Sequence, residues 1–369
     1  MPRLRRLWIR AFRNYALADI AFDDGITALV GRNGAGKSNV LEAIYLAATG
    51  RSYRTAREEE AILRGETAAR VRAQISRRGR EEEIEITLAV EAGRLTSLMR
   101  VNGAPTPRGS VLGRLPVVLA APWDLEMVRG SAAGRRRLLD AALSQLSPSY
   151  FFALHRYHRV VAQRNAHLRR GAPGGTEAWD AQMVALGVRI AAHRTGYMRR
   201  VAPEAEAWFG RLGGEGTLTV VYQPSWPGET DESREDEARA QLARRRADEI
   251  RRGATLSGPH RDDVDLSLEG AALRANGSQG QWRTAMLAVR LAERGVMAAE
   301  TGESPVLLLD DAIAELDGDR QRRVLNLADE AQVLLTATEL PQVSRAVRVL
   351  AVEAGAVAEA AWSSRLERF

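Results

Sequence analysis

Gly31-Arg32-Asn33-Gly34-Ala35-Gly36-Lys37-Ser38 fits the pattern G-x-x-x-x-G-K-[ST]. In such a P-loop, backbone N–H groups of a glycine-rich turn wrap the phosphates of a nucleotide, the lysine sets a point charge on the β- and γ-phosphates, and the hydroxyl ligates Mg²⁺. The flanks agree with it. Ile26-Thr27-Ala28-Leu29-Val30 reads as a short buried strand, and Asn39-Val40-Leu41-Glu42-Ala43-Ile44-Tyr45-Leu46 as a helix with Val40, Leu41, Ile44 and Ala48 on one face. A helix starting there aims its dipole at bound phosphate. Lys37 is the only lysine of the chain, one of 53 lysines and arginines. An arginine-biased composition explains the scarcity. It does not explain why the one lysine falls where a compact ammonium rather than a planar guanidinium is needed.

Outward from the P-loop, two short strands are expected before it, an edge strand over Leu4 to Arg10 and another through Ile20 and Phe22, turned at Asp23-Asp24-Gly25. After it, Gly50-Arg51-Ser52-Tyr53-Arg54 reads as a polar turn, Ile84, Ile86, Leu88 and Val90 alternate as a half-buried strand, and Leu115 to Ala120 is a buried strand. From about 126 to 254 the character is helical, arginine-rich and poor in strands, with helices over Phe151 to Arg170, Trp179 to Arg200 and Asp231 to Arg252, and a loop at Gly171 to Gly175. Strands return at Asp263 to Glu269, followed by a long helix to Ala299, the run Val306-Leu307-Leu308-Leu309-Asp310-Asp311, a helix from Asp319, and Val333 to Thr336. Strand alternating with helix predicts an α/β fold with a parallel sheet. The expected organisation is an α/β head built from both chain ends (residues 1–125 and 255–369) around a mainly helical inserted arm (126–254).

Four apolar residues running into Asp310 form a Walker B pattern, whose carboxylate can hold Mg²⁺ opposite Ser38. Asp311 then stands where a base or water-orienting group is wanted. Ser278-Gln279-Gly280-Gln281 opens a helix, and free helix N–H groups behind small polar residues make an anion site. The plainer reading is an N-cap with Ser278 and Gln281 as a capping box.

Composition narrows the remaining classes. At 369 residues with 45% hydrophobic content the chain can fill two cores, and with no cysteine it has no disulfide or thiolate chemistry, which suits a cytoplasmic protein. The five histidines show no zinc spacing; no signal peptide and no run of 18 apolar residues is visible, so no membrane association is expected. A net charge of +6 favours nucleic acid without forcing it, with Arg135 to Arg137 and Arg244 to Arg246 as candidate phosphate contacts.

Taken in order, Phe12-Arg13-Asn14-Tyr15, Gly31 to Ser38, Gly50 to Arg54, Thr255-Leu256-Ser257-Gly258-Pro259-His260-Arg261-Asp262-Asp263, Ser278 to Gln281 and Leu307 to Asp317 resemble the ABC-type ATPases of the SMC group and, within it, the RecF family of bacterial recombination mediators. The resemblance covers nearly the whole chain. It implies that Gly31 to Ser38 and Asn39 bind ATP, and that Ser38 and Asp310 hold Mg²⁺. It further implies that Ser278 to Gln281 meet the γ-phosphate held by a second subunit, that Glu315-Leu316-Asp317 is the D-loop of that interface, and that Asp311 stands in the catalytic glutamate's place, its shorter side chain implying slow hydrolysis. Lys37, Ser278 and Asp311 are the expected catalytic residues. The Q-loop glutamine is replaced by Pro122-Trp123-Asp124 and the switch histidine by Thr336-Ala337-Thr338. By the same resemblance the chain is expected to dimerise on ATP, to clamp double-stranded, gapped DNA, and to work with RecR and RecO in loading RecA. A transporter ATPase would carry the glutamine and the histidine, a small-molecule P-loop kinase would have no use for Ser278 to Gln281, and a structural SMC-like chain would need sustained heptads.

Overall fold

The computed structural model describes residues 2–170, 175–314, 316–339 and 347–359. The described chain divides into two compact units: residues up to Asp124 with Arg211–Gly213 and those from Glu293 onward, and Leu125–Gly210 with Gly214–Ala292. The expected boundaries grouped residues 255–369; the division falls instead between 292 and 293. Strand Asp263–Leu268 pairs antiparallel with Leu218–Gln223, which ties the segment after 255 to the helical unit.

In the first unit, six strands form a sheet in the order Ala356–Glu359, Val347–Glu353, Ile26–Val30, Val333–Ala337, Val306–Leu309, Val117–Ala120. All neighbours are parallel except the first pair, a hairpin. The inner strands read as continuous apolar runs because a parallel sheet is covered on both faces. A second, antiparallel sheet runs Tyr15–Ala21, Arg3–Phe12, Ala68–Arg77, Arg80–Glu91, Arg94–Val101, Ala104–Pro105. Arg3–Phe12, expected at an edge, is paired on both sides. Its alternation of Arg6 and Arg10 with buried Leu7 and Ile9 reflects one solvated face, which antiparallel sheets tolerate.

The helix Lys37–Thr49 shares a core with both sheets, and Val40, Leu41, Ala43, Ile44, Leu46, Ala47 and Ala48 are all fully buried. It is therefore buried on more than the one apolar face expected, as befits a helix enclosed on two sides. Gly50 ends it in the left-handed region, φ 68°.

The second unit contains the helices Ala132–Leu146, Pro148–Leu168, Glu177–Arg211 and Asp231–Arg252. Asp231–Arg252 has the expected bounds, with a Thr230/Ser233 capping box at its start and left-handed Gly253 at its end. Of the loop expected at Gly171 to Gly175, residues 171–174 lie outside the described residues.

Candidate functional site

The P-loop lies between the strand Ile26–Val30 and the helix Lys37–Thr49. Gly34 and Gly36 take φ of 80° and 116°, which side chains rarely adopt. A Cβ on Gly36 would stand 2.6 Å from the amide nitrogen of Asn14, and one on Gly31 would stand 2.2 Å from the carbonyl oxygen of Val352. The loop is held from beneath by side chains: Tyr15 OH donates to Gly36 O (3.0 Å), Asn14 Nδ2 to Ala35 O (3.0 Å), and Asn39 Nδ2 to Asn14 Oδ1 (2.7 Å). Burial pushes the Tyr15 hydroxyl well above its ordinary titration range, so it stays a donor. Arg32, Asn33 and Gly34 line the exposed rim.

Gly36 caps the helix with no side-chain bond to its first N–H groups. An uncapped helix start behind a turn of left-handed glycines is a cradle for anionic oxygens. Lys37 is buried along this turn, its Nζ donating to the carbonyls of Gly31 (2.7 Å) and Arg32 (3.1 Å). Those residue types fit the phosphate chain of a nucleotide, with Lys37 as its cation.

The Walker B strand Val306–Leu309 delivers Asp310 to the same place, 3% exposed. Ser38 Oγ donates to its Oδ1 at 2.7 Å, Tyr53 OH to its Oδ2 at 2.8 Å, and Thr336 Oγ stands 3.0 Å from Oδ1. A carboxylate and a serine hydroxyl in contact are hard oxygen donors suited to Mg²⁺. Asp311 follows at φ 48°, a left-handed position that Asp and Asn tolerate better than other side chains. Partial desolvation and the charge of Asp310 push its carboxyl above the usual range, opposed by the Thr336 hydrogen bond and by Lys37.

Tyr53 and Thr336 are neighbours of Asp310; the sequence reading placed Thr336 only where the switch histidine is replaced and gave Tyr53 no place at the site. Tyr53 was read as part of a polar turn, and the signal for it was a lone aromatic between arginines. Burial, then the charge of Asp310, hold its hydroxyl far above the usual phenol range. Glu42 was missed too. It is fully buried on the helix, where Arg13 grips both its oxygens (2.9 and 2.6 Å) and Ser52 donates to it at 2.5 Å. Arg13 and Asn14 thus brace the loop and its helix. Asp124, in the Q-loop's place, accepts from the N–H of Ala121 at 3.1 Å.

Ser278 and Gln281 form the reciprocal capping box of the plainer reading: Ser278 N–H donates to Gln281 Oε1 (2.8 Å) and Gln281 N–H to Ser278 Oγ (3.2 Å). Ser278, Gln279 and Gly280 are all exposed, so this helix start is open at the surface. Asp317 caps the helix Gly318–Leu325 through the N–H of Arg320 (2.9 Å), which lowers its carboxyl below the usual range; Glu315 lies outside the described residues.

Two expectations about charge are corrected. Arg135 is no surface cation; it is 5% exposed and forks onto Asp263 at 2.6 and 2.8 Å. Arg136 donates to Asp262 O at 2.5 Å, and Arg246 is engaged by Thr176 and by Asp180 (3.3 Å). Within those clusters Arg137, Arg244 and Arg245 remain exposed, and Arg244 pairs with Glu237 at 2.9 Å. His260, partly buried, and Arg261, exposed, to which the sequence alone gave no role, lie beside a buried polar hub. Tyr157 OH donates to His260 Nδ1 (2.8 Å), and His260 Nε2 and Arg261 both donate to Thr255 O (3.1 and 2.9 Å).

The chain matches the family model described as RecF/RecN/SMC N terminal domain over residues 3–358. It is 40% identical to a protein named DNA replication and repair protein RecF from Synechocystis, covering 99% of this chain and all of that one. A protein of the same name from Gloeobacter violaceus is also 40% identical, over 96% and 98% of the two chains. Among solved structures, one titled as the recombination mediator protein RecF-ATP in the RecFOR pathway aligns with TM-score 0.90 at 29% identity, covering 98% of both chains. An Smc head domain from Pyrococcus yayanosii aligns at TM-score 0.59 and 15% identity, a likeness of fold alone. Among the described residues, no helix is long and apolar enough to cross a membrane.

Proposed function

The chain belongs to the RecF family, and from that membership we propose that it is an ATP-dependent DNA-binding protein of replication and recombinational repair, whose two copies close on ATP around duplex DNA near a gap and reopen on slow hydrolysis. The observation that carries this reading is the 2.7 Å bond from Ser38 to Asp310, which joins a P-loop to a Walker B carboxylate 272 residues away. ATP would supply the phosphoanhydride whose cleavage reopens the pair, with Mg²⁺ neutralising phosphate charge.

This chain's own groups have separable roles. The turn Gly31 to Lys37 wraps phosphate with backbone N–H groups and one ammonium, and Ser38 with Asp310 holds the cation. Asp311 accepts a proton from, or orients, the attacking water. Ser278 to Gln281, the first three of them exposed at a helix start, face the γ-phosphate bound by the other copy. RecR and RecO are the proposed partners, because a solved relative is described within the RecFOR pathway. The transporter alternative leaves the replaced Q-loop glutamine and switch histidine unexplained, the kinase alternative leaves the Ser278 stretch unexplained, and neither accounts for the family relationship.

A mixing experiment tests the reading. Lys37→Ala and Ser278→Arg should each abolish hydrolysis and ATP-induced dimerisation. Mixed together they should recover about a quarter of wild-type turnover, since half of random pairs are mixed and each has one intact site of two. With wild type, ATP should tighten duplex binding relative to ADP, and affinity should fall with salt at a log–log slope of about −0.9 per phosphate neutralised. No recovery at any mixing ratio, or equal binding with ATP and ADP, would remove the clamp.

A further inference from the structure

Thr336 ends no helix and caps no loop; it lies inside the strand Val333–Ala337, 1% exposed, in the stretch that replaces the switch histidine. Its Oγ accepts from the backbone N–H of Asp311 at 2.8 Å. The same oxygen is 3.0 Å from Oδ1 of Asp310 and 3.1 Å from Oδ1 of Asp311. A hydroxyl has one proton. Thr336 can therefore donate to one of these carboxylates at a time.

The competition is sharpened by what else reaches Asp310. Its Oδ1 receives Ser38 at 2.7 Å as well as Thr336, and its Oδ2 receives Tyr53 at 2.8 Å. Both lone pairs of Oδ1 are thus engaged when Thr336 donates there. When Oδ1 is engaged elsewhere, the proton is left to Asp311, whose backbone the same threonine already holds at φ 48°.

We propose that Thr336 is a positioning residue that passes its hydroxyl hydrogen bond between Asp310 and Asp311, so that occupation of the Asp310 site fixes the orientation of the Asp311 carboxylate for hydrolysis. This rests on the ATPase reading above. It gives a residue of this chain the task of linking the bound state to the catalytic carboxylate, which the missing histidine leaves open.

The test is Thr336→Val, which keeps the shape and removes the hydroxyl, beside Thr336→Ser, which keeps the hydroxyl. Turnover at saturating ATP is measured, together with the Mg²⁺ concentration that half-saturates binding of a fluorescent ATP analogue. Thr336→Val should lower kcat by about 10- to 100-fold, the usual cost of a lost supporting partner, with KM for ATP nearly unchanged. It should also lower the Mg²⁺ requirement by about two- to tenfold, because one hydrogen bond no longer competes for Oδ1. Thr336→Ser should restore both. Merely damaged packing would raise the Mg²⁺ requirement. A raised requirement, an unchanged kcat, or a serine variant that behaves like valine would overturn the proposal. If Thr336→Val does not fold, Thr336→Ala takes its place and the same readings decide. Failure of the wild-type chain to bind ATP would instead overturn the function proposed above.

Discussion

Asp311 shows how much one residue is asked to do. Its backbone is left-handed, its carboxylate lies beside Asp310, and its ionised form is disfavoured there before any cation is present. Asp311→Asn keeps the backbone preference and removes the charge. The nucleotide-free protein should then melt at or above the wild-type temperature, while hydrolysis falls by about 10²- to 10⁴-fold, as for loss of a general base. Calorimetry with a phosphate-release assay checks both halves; a variant that turns over normally would take the water-activating role from Asp311. Lys37 makes the complementary case. A single lysine among arginines was legible from sequence, whereas its seat against the carbonyls of Gly31 and Arg32 was not.

Among the elements, the helix Gln279–Thr301 carries two demands at its first turn. The capping box of Ser278 and Gln281 stabilises the helix start in the isolated chain, and the same residues are proposed to meet a second copy's nucleotide. Ser278→Ala should cost about 1 kcal/mol of stability through the lost cap, whereas Ser278→Asn should restore it. Urea unfolding of the two variants measures this, and equal midpoints for Ala and wild type would show that the box contributes nothing. The capping and signature readings are thus compatible uses of one stretch. For the P-loop helix the pattern of Val40, Leu41, Ile44 and Ala48 predicted one buried face, but Ala43, Leu46 and Ala47 are buried too. Alanine is compatible with either face, so periodicity alone understates enclosure by a second sheet.

At the scale of the molecule, the helical unit is held by charges as well as by apolar packing. Arg194, 1% exposed, donates to Asp140 and Asp262 at 2.7 Å each, and fully buried Arg164 donates to Glu249 (2.7 Å) and Asp180 (2.6 Å). Such pairs are costly to break singly, because the survivor is left buried without a counter-charge. His260 sits beside this hub with both ring nitrogens bonded as a neutral imidazole requires, and burial lowers its pKa to about 4. The unfolded chain then binds a proton that the folded one refuses between pH ~6.5 and ~4. Stability should be full above pH ~6.5 and fall by at most about 3 kcal/mol as pH drops through the folded pKa. Urea midpoints at pH 7 and pH 4, for wild type and His260→Gln, check this; an identical acid loss in both would clear His260 of the effect.

The sequence by itself determined the fold class and the places of the glycine-rich turn and of the acid-tipped strand. Gly31 to Ser38 and Val306 to Asp311 are contiguous stretches, and their chemistry depends on local spacing: glycines for a left-handed turn, apolar residues to carry an acid to a strand end. The helix Asp231–Arg252 was legible to its ends for the same reason, since caps are local. What only the tertiary structure decided are meetings of residues far apart in the chain. Tyr53 reaches Asp310 across 257 positions, and Arg135 reaches Asp263 across 128. An arginine on a helix reads as surface charge until the fold brings a carboxylate against it, and Thr336, legible only as standing where a histidine is replaced, shows its partners only once two aspartates share its hydroxyl. Neither pairing has a period or a motif, because the chain connecting such partners places no constraint on them until the sheet closes.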